Sequence, residues 1–424
     1  MKFMKRVVIL ILVMILVIPS TITMPAKAVS KNIKIGEYVE LLMKAMNITI
    51  NESEEQPYIT AAVGTSVFKT ADEFDVNKEL TRAECAVLTN RADVYINGNK
   101  ERGVYENIVN LKRISDLSKI KKSYRDDVVQ VFGKGIIVGY TNGKYSQSRA
   151  FRGNSKITYQ GAKVIVSKLM NKKDRKKISP DGQLIRTTNL PKNYKAYDYI
   201  LEAFPNSFYE MKFAFQYGIK QVWDKKKDGW VTVDKVELED YARPCKIREW
   251  SEEKKQAIDL YLYDWCSMVE QNLKYRFNVD YRTVGNEWFK GIRETYAITG
   301  NENIDKEYTD EIKEYIKSVK KNKIIIKAEK VVVEPSTFYK DTLDNFRCYV
   351  KFKIISCNNM KIDANEIIFS NFNNIKLRKG IWIERYFDMD IAPSYGSLNY
   401  LDAAQSTKIG NNNLLERKDG VVKN

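Results

Sequence analysis

Thr81-Arg82-Ala83-Glu84 opens a helical run and sets an arginine among backbone N–H groups that have no partner inside the helix. A guanidinium there, at the positive end of the helix dipole, suits a bound carboxylate. The same four residues also form a capping box. The Thr81 hydroxyl accepts from the Glu84 N–H, and the Glu84 carboxylate reaches back to the Thr81 N–H. Other chemistry is narrowly bounded. The chain has no histidine, which removes the usual general base, the Ser-His and Cys-His pairs and the commonest metal ligand. Its 5 cysteines form no C-x-x-C, so neither zinc nor dithiol chemistry is indicated, and no cofactor is called for. Any enzyme here works with Asp, Glu, Lys or Tyr. Glu384, Asp388 and Asp390 lie near one another, and Asp259 and Asp264 share a helix. Glycoside hydrolysis needs two acids set across a cleft, which adjacency in sequence does not supply. Solvated acids on a lysine-rich surface are the plainer reading.

The elements that position Arg82 recur. Ile33 to Tyr38 and Ile157 to Ala162 fall in the same frame as Leu80 to Cys85. Each copy then places side chains at i, i+3, i+4 and i+7: Tyr38, Leu41, Leu42, Ala45; Cys85, Leu88, Thr89, Ala92; Ala162, Ile165, Val166, Leu169. That spacing sets each group on one helical face and buries Cys85. Three helices in one phase argue for an internal repeat. The third unit is the fullest. It runs from Ile114-Ser115-Asp116 through a first helix, Tyr124 to Val131, and the loop Gly135 to Tyr145, to a second helix, Ile157 to Leu169.

This pattern resembles the S-layer homology (SLH) module: an Asp-containing start, a helix, a glycine-punctuated loop, then an ITRAE-like sequence and a helix. The likeness covers roughly residues 30–172. It implies an all-α three-unit spindle over 29–172, with units at about 31–50, 57–97 and 114–171. It also implies that Arg82 lies in a groove between neighbouring units and contacts an anionic wall glycan, typically a pyruvylated sugar. Thr81 and Glu84 flank that arginine, and Asn142 and Gly143 match the loop that approaches the sugar. The first unit offers Ile35 where the family has arginine, with Lys34 beside it as a further ligand candidate. The third has Tyr159 there, and Gly161 in place of the box glutamate. At most one groove therefore keeps the full ligand set.

Residues 1–28 read as a secretory leader: Lys2, Lys5 and Arg6, then an apolar run from Val7 to Ile18, then Ala26-Lys27-Ala28. The run is short of the ~20 residues that a membrane span needs. The expectation is a protein exported to the cell wall of a Gram-positive-type cell, with no transmembrane span once the leader is removed. The formal charge is +17. Four positives and no acids fall in the leader, so +13 remains. Such a surplus favours a polyanion. The lysine clusters lack the aromatic interleaving that single-stranded nucleic acid would require, so an anionic secondary wall polymer is the expected partner.

Length allows two or three domains. Residues 173–250 read as a basic connector with some structure, whose aromatic stretch Tyr199 to Tyr217 packs back on the helical module. From 251 to 402 the pattern is α+β, helices packed on an antiparallel sheet, with a fold-level likeness to the NTF2-like cone. Its elements are a long helix from Ser251, a strand around Phe277 to Tyr281, and a helix near Trp288 to Tyr296. A strand follows with Phe346, Cys348, Val350, Phe352 and Ile354 inward and Arg347, Tyr349, Lys351 and Lys353 on a wet face. Ile375-Lys376-Leu377 and Ile381-Trp382-Ile383 read as a paired hairpin, and 403–424 as a polar, frayed tail. The functional expectation is a non-catalytic, wall-held protein with a C-terminal binding or structural domain. The alternative is a wall-remodelling enzyme, held the same way, using a carboxylate pair in that domain.

Overall fold

The computed structural model describes residues 31–99, 103–143, 145–211, 219–235, 252–298, 300–340, 344–370, 377–392 and 408–416. The leader, Cys245 and the Ile375-Lys376 half of the expected hairpin lie outside them. The chain is a mixed α+β protein, with helices and a curled antiparallel sheet.

Six helices fill the first part: α1 (Ile35–Ala45), α2 (Pro57–Gly64), α3 (Arg82–Asn97), α4 (Gly103–Asn110), α5 (Arg125–Gly133) and α6 (Tyr159–Met170). A short ribbon, β1 (Tyr140–Thr141) with β2 (Arg149–Ala150), interrupts them. The apolar phase read in sequence is buried, with Tyr38 and Leu42, Cys85, Leu88 and Ala92, and Ala162 and Leu169 all within 1% of full burial. In α3 the polar Thr89, Asn90 and Asp93 are buried as well, because other elements cover most of its circumference. Their polar groups are paired: Thr89 with the Tyr38 hydroxyl at 2.7 Å, and Asp93 with Lys134 at 2.9 Å and Arg175 at 2.7 Å.

The N-termini of α1, α3 and α6 are joined by backbone hydrogen bonds that close a ring. Ile33 N–H donates to Ile157 O (2.9 Å), Ile157 N–H to Leu80 O (3.0 Å), and Leu80 N–H to Ile33 O (2.8 Å). A second ring runs outside it, from Ile35 to Lys78, Arg82 to Ser155 and Tyr159 to Lys31, at 2.8–3.0 Å. The three N-cap residues share one backbone conformation: φ and ψ are −82° and 159° at Lys34, −83° and 160° at Thr81, −79° and 156° at Thr158.

The connector is more ordered than its sequence suggests. Arg113 ties it to the helical part through a buried bond to Asp181 at 2.7 Å. Gly182 takes φ +82° under Ile108, where a Cβ would come within 2.5 Å of that side chain. Its aromatic segment ends in α7 (Asn206–Glu210). The rings of Tyr197, Phe204, Phe208 and Tyr209 pack together and against Val332, Tyr349 and Tyr386. That is the outer face of the C-terminal sheet, not the helical module expected from sequence. A hairpin follows, β3 (Ile219–Asp224) with β4 (Gly229–Lys235).

The C-terminal part contains α8 (Glu252–Phe277), β5 (Val279–Asp280), α9 (Asn286–Arg293), α10 (Glu302–Lys321), β6 (Ile325–Val333), β7 (Tyr339–Lys340), β8 (Asp344–Ser356), α11 (Ala364–Ile367), β9 (Trp382–Ala392) and β10 (Lys408–Glu416). The sheet order is β10-β9-β8-β6-β5, all antiparallel, with β7 also on β8. Phe346, Cys348, Val350, Phe352 and Ile354 face inward as read, against Leu262, Trp265, Val269, Leu273 and Phe277 of α8. Four expectations change. α10 was not foreseen, because only Tyr308, Ile312, Tyr315, Ile316 and Val319 stand out of its charged sequence. The outer face is dry at one end, where Arg347 and Tyr349 lie under the connector, so the single wet face holds only from Lys351 on. The stretch 379–383 forms no hairpin, since Trp382 pairs with Lys353 of β8 and Lys379 bridges to Ile354. The expected frayed tail supplies β10, an edge strand on β9. Cys348 and Cys357, candidates for proximity, are both buried and free, as are Cys85 and Cys266.

Glu334, at the end of β6, is fully buried beneath the connector. The Ser336 hydroxyl donates to one carboxylate oxygen at 2.7 Å, while the other has no partner. Burial pushes this carboxyl from its usual 4.5 up to about 8, and the Asp181 charge acts the same way. A folded state that holds its proton more tightly than the unfolded chain gains stability below pH 4.5 and loses it as pH climbs through 8. Glu334→Gln should remove that loss. Between pH 5 and 9 the wild-type melting temperature should fall relative to the variant by more than the roughly 2–4 °C that each kcal/mol gives in domains of 150–250 residues, since a pKa rise of that size is worth about 4 kcal/mol. Parallel melting curves for the two proteins would refute this.

Candidate functional site

Thr81 caps α3 as its sequence dictates. Glu84 N–H donates to Thr81 Oγ1 at 3.3 Å, and Thr81 N–H donates to Glu84 Oε2 at 2.8 Å. The Thr81 hydroxyl itself donates to that carboxylate at 2.6 Å. Both bonds that Thr81 donates end on Glu84 Oε2, so that oxygen holds the helix start. Thr81→Ala should cost about 0.5–2 kcal/mol. Denaturant titration reads this directly, and an unchanged midpoint would show that the box is idle.

The box delivers Arg82 to a small aromatic site. Its guanidinium lies 4.9 Å from the Tyr140 ring and 5.2 Å from the Phe151 ring. Arg152 stands 4.5 Å from the same Tyr140 ring. Burial lowers the Arg82 pKa, and the Arg149 and Arg152 charges lower it further, yet arginine remains a cation. Its Nε is buried and receives no acceptor, and among the described residues neither Arg82 nor Arg152 has an acid within ion-pair distance. Cations stacked on rings are weakly satisfied compared with the 2.7–2.9 Å bonds that a carboxylate would offer.

Asp116 explains why Arg152 is there. Its carboxylate accepts the backbone N–H of Phe151 at 2.6 Å and of Arg152 at 2.8 Å. Arg152 takes φ +58°, which turns the chain at that point. Sequence reasoning missed Arg152, Tyr140 and Phe151. They lie outside the helical phase shared by the three helix starts.

The remaining expected ligands have these places. Lys34 caps α1, its backbone N–H donating to Glu37 Oε2 at 2.7 Å, with its side chain exposed; Ile35 beside it is buried. Thr158 keeps half a box, accepting from Gly161 N–H at 3.2 Å. Asn142 gives its amide to Ser115 Oγ at 2.9 Å and Ser148 Oγ at 3.0 Å, so it fixes its own loop. Gly143, at φ +126°, lines a separate cleft with Arg149, Gln183 and Glu202.

The carboxylates of the C-terminal part are also placed. Glu384, Asp388 and Asp390 alternate along one side of β9. Asp388 is buried against Arg347, and Glu384 accepts the Tyr349 hydroxyl at 2.6 Å. Asp264 is exposed on α8. Among the described residues no helix is long and apolar enough to cross a membrane. Neither a protein-family model nor a curated protein matches the chain.

Proposed function

We propose that this is an exported, non-catalytic cell-surface protein that binds an anionic secondary wall polymer through its N-terminal helices. In this reading residues 29–172 are an SLH-type three-unit array, and the C-terminal α+β portion carries a binding or structural task. The observation that supports it most is the pair of guanidiniums on Tyr140. Two cations without an acid, at the start of a firmly capped helix, match a ligand that brings its own carboxylate, such as a pyruvylated sugar. The rings joining three equivalent helix starts fit a repeat whose units share clefts. Only one of those starts carries an arginine, so binding is through a single groove.

The test is retention of the purified protein on isolated cell walls, with salt titration. A carboxylate held by the partly buried Arg82 guanidinium should keep binding at salt that screens surface charge, where the Debye length falls below about 8 Å. Loss of all retention by 0.5 M salt would reduce the interaction to general charge attraction. The carboxylate-pair enzyme gains no support from the acids placed above, none of which faces another across a cleft.

A further inference from the structure

We propose that the cleft on the other side of the β1–β2 ribbon binds a neutral, hydroxyl-rich sugar ring. The ribbon pairs Tyr140 with Ala150 and Thr141 with Arg149. Successive residues of a strand face opposite ways. Tyr140 therefore meets Arg82 on one side, while Thr141 and Arg149 turn to the other. There they line a cleft of about 310 Å³, closed by Gln183 and Glu202 of the connector. Small-molecule sites span roughly 300–1,000 Å³, so a single ring is the natural occupant.

The hydrogen bonds already made decide what enters. The donors are partly spent. Arg149 donates Nε to Val138 O at 2.9 Å, Nη2 to Gly139 O at 3.2 Å and Nη1 to Glu202 at 3.4 Å. The Thr141 hydroxyl goes to Gly143 O at 2.7 Å and the Ser146 hydroxyl to Ser148 O at 3.0 Å. Gln183 Nε2 donates one hydrogen to Asp181 Oδ2 at 2.6 Å. Acceptors remain. Gln183 is only 3% exposed, and its Oε1 is buried with no partner. Glu202, its side chain 54% exposed, receives one long bond from Arg149.

Such a cleft suits a hydroxyl, which donates to Glu202 or Gln183 Oε1 and accepts from the Arg149 N–H groups left over from those three bonds. A buried acceptor left unpaired costs about 1–3 kcal/mol, which a ligand hydroxyl recovers. Charge excludes the rest. Arg149 and Glu202 pair, so the cleft is less positive than the Arg82 side. An anion would face the Glu202 carboxylate and the Gln183 oxygen. An organic cation would face Lys330, which stands 5.8 Å from the Tyr145 ring at the cleft wall. An apolar group would leave the acceptors unpaired. Tyr145 adds a ring face for sugar C–H groups, and no atom lies within 4 Å of where a Gly143 Cβ would stand, so that side stays open.

The experiment is ligand-observed NMR titration of the full protein with glucose, N-acetylglucosamine and their β-1,4-linked tetramers, with pyruvate and methylammonium as charged controls. Binding of at least one neutral sugar is expected, weakened tenfold or more by Tyr145→Ala and by Glu202→Ala, with melting curves unchanged. Absence of binding by every neutral sugar, preference for a charged control, or binding that survives both substitutions would overturn the proposal. Wall retention is measured separately, so failure of either reading leaves the other standing.

Discussion

Arg82→Ala should weaken retention on isolated cell walls by roughly ten- to a hundredfold or more, the loss of one charge-assisted bond pair worth about 1.5–3 kcal/mol. Stability should move little or rise, because the substitution removes a part-buried cation whose Nε has no acceptor. The two measurements therefore separate a ligand contact from a structural one. Arg152→Ala should act in the same direction with a smaller effect. It shares the Tyr140 ring with Arg82 but sits in the loop held by Asp116. The double variant should lose less than the sum of the singles if one carboxylate bridges both guanidiniums. Wall retention by Arg82→Ala equal to wild type would remove this arginine from the site.

The largest effect on stability is expected at Arg347. It is fully buried, as is its partner Asp388, with Nε to Oδ1 at 3.1 Å. Its Nη1 also donates to the carbonyls of Met211 at 3.0 Å and Phe208 at 3.4 Å. One side chain thus joins β8, β9 and the connector. Removing either member of a buried pair leaves a desolvated charge and costs about 3–5 kcal/mol. Arg347→Met should therefore lower stability by that amount and release the aromatic segment from the sheet, seen as a rise in proteolysis between 197 and 211. Arg347→Met with Asp388→Leu should recover much of the loss, since an apolar pair of similar size replaces the ions. A wild-type denaturation midpoint for Arg347→Met alone would show that the site is wet.

What the sequence made legible follows from periodicity. Tyr38, Cys85 and Ala162 declared one buried phase, and Phe346 to Ile354 declared one inward face, because burial is written at 3.6 and 2 residues. Thr81 and Glu84 declared a cap for the same local reason. The failures are non-local. Nothing in the alternation at Arg347 and Tyr349 says that Phe204 and Phe208 cover them from far along the chain. α10 hid because its apolar residues are few among charges, and β10 because Lys408–Glu416 looks polar until β9 pairs with it. The Arg82 site was half visible. The capped arginine came from a helix signal, but Arg152, Tyr140 and Phe151 come from a loop arranged by Asp116.

The backbone rings at the helix starts carry a kinetic consequence. Each strand of a ring bonds to the other two, so Ile33 and Leu80 cannot both be satisfied before Ile157 has arrived. Closing the ring waits on contacts distant in sequence, which are slow to form. In a polypeptide ending at about 156 the Ile33 N–H and the Leu80 carbonyl should thus stay unpaired, and amide exchange at Ile33 should slow only once residue 157 is present.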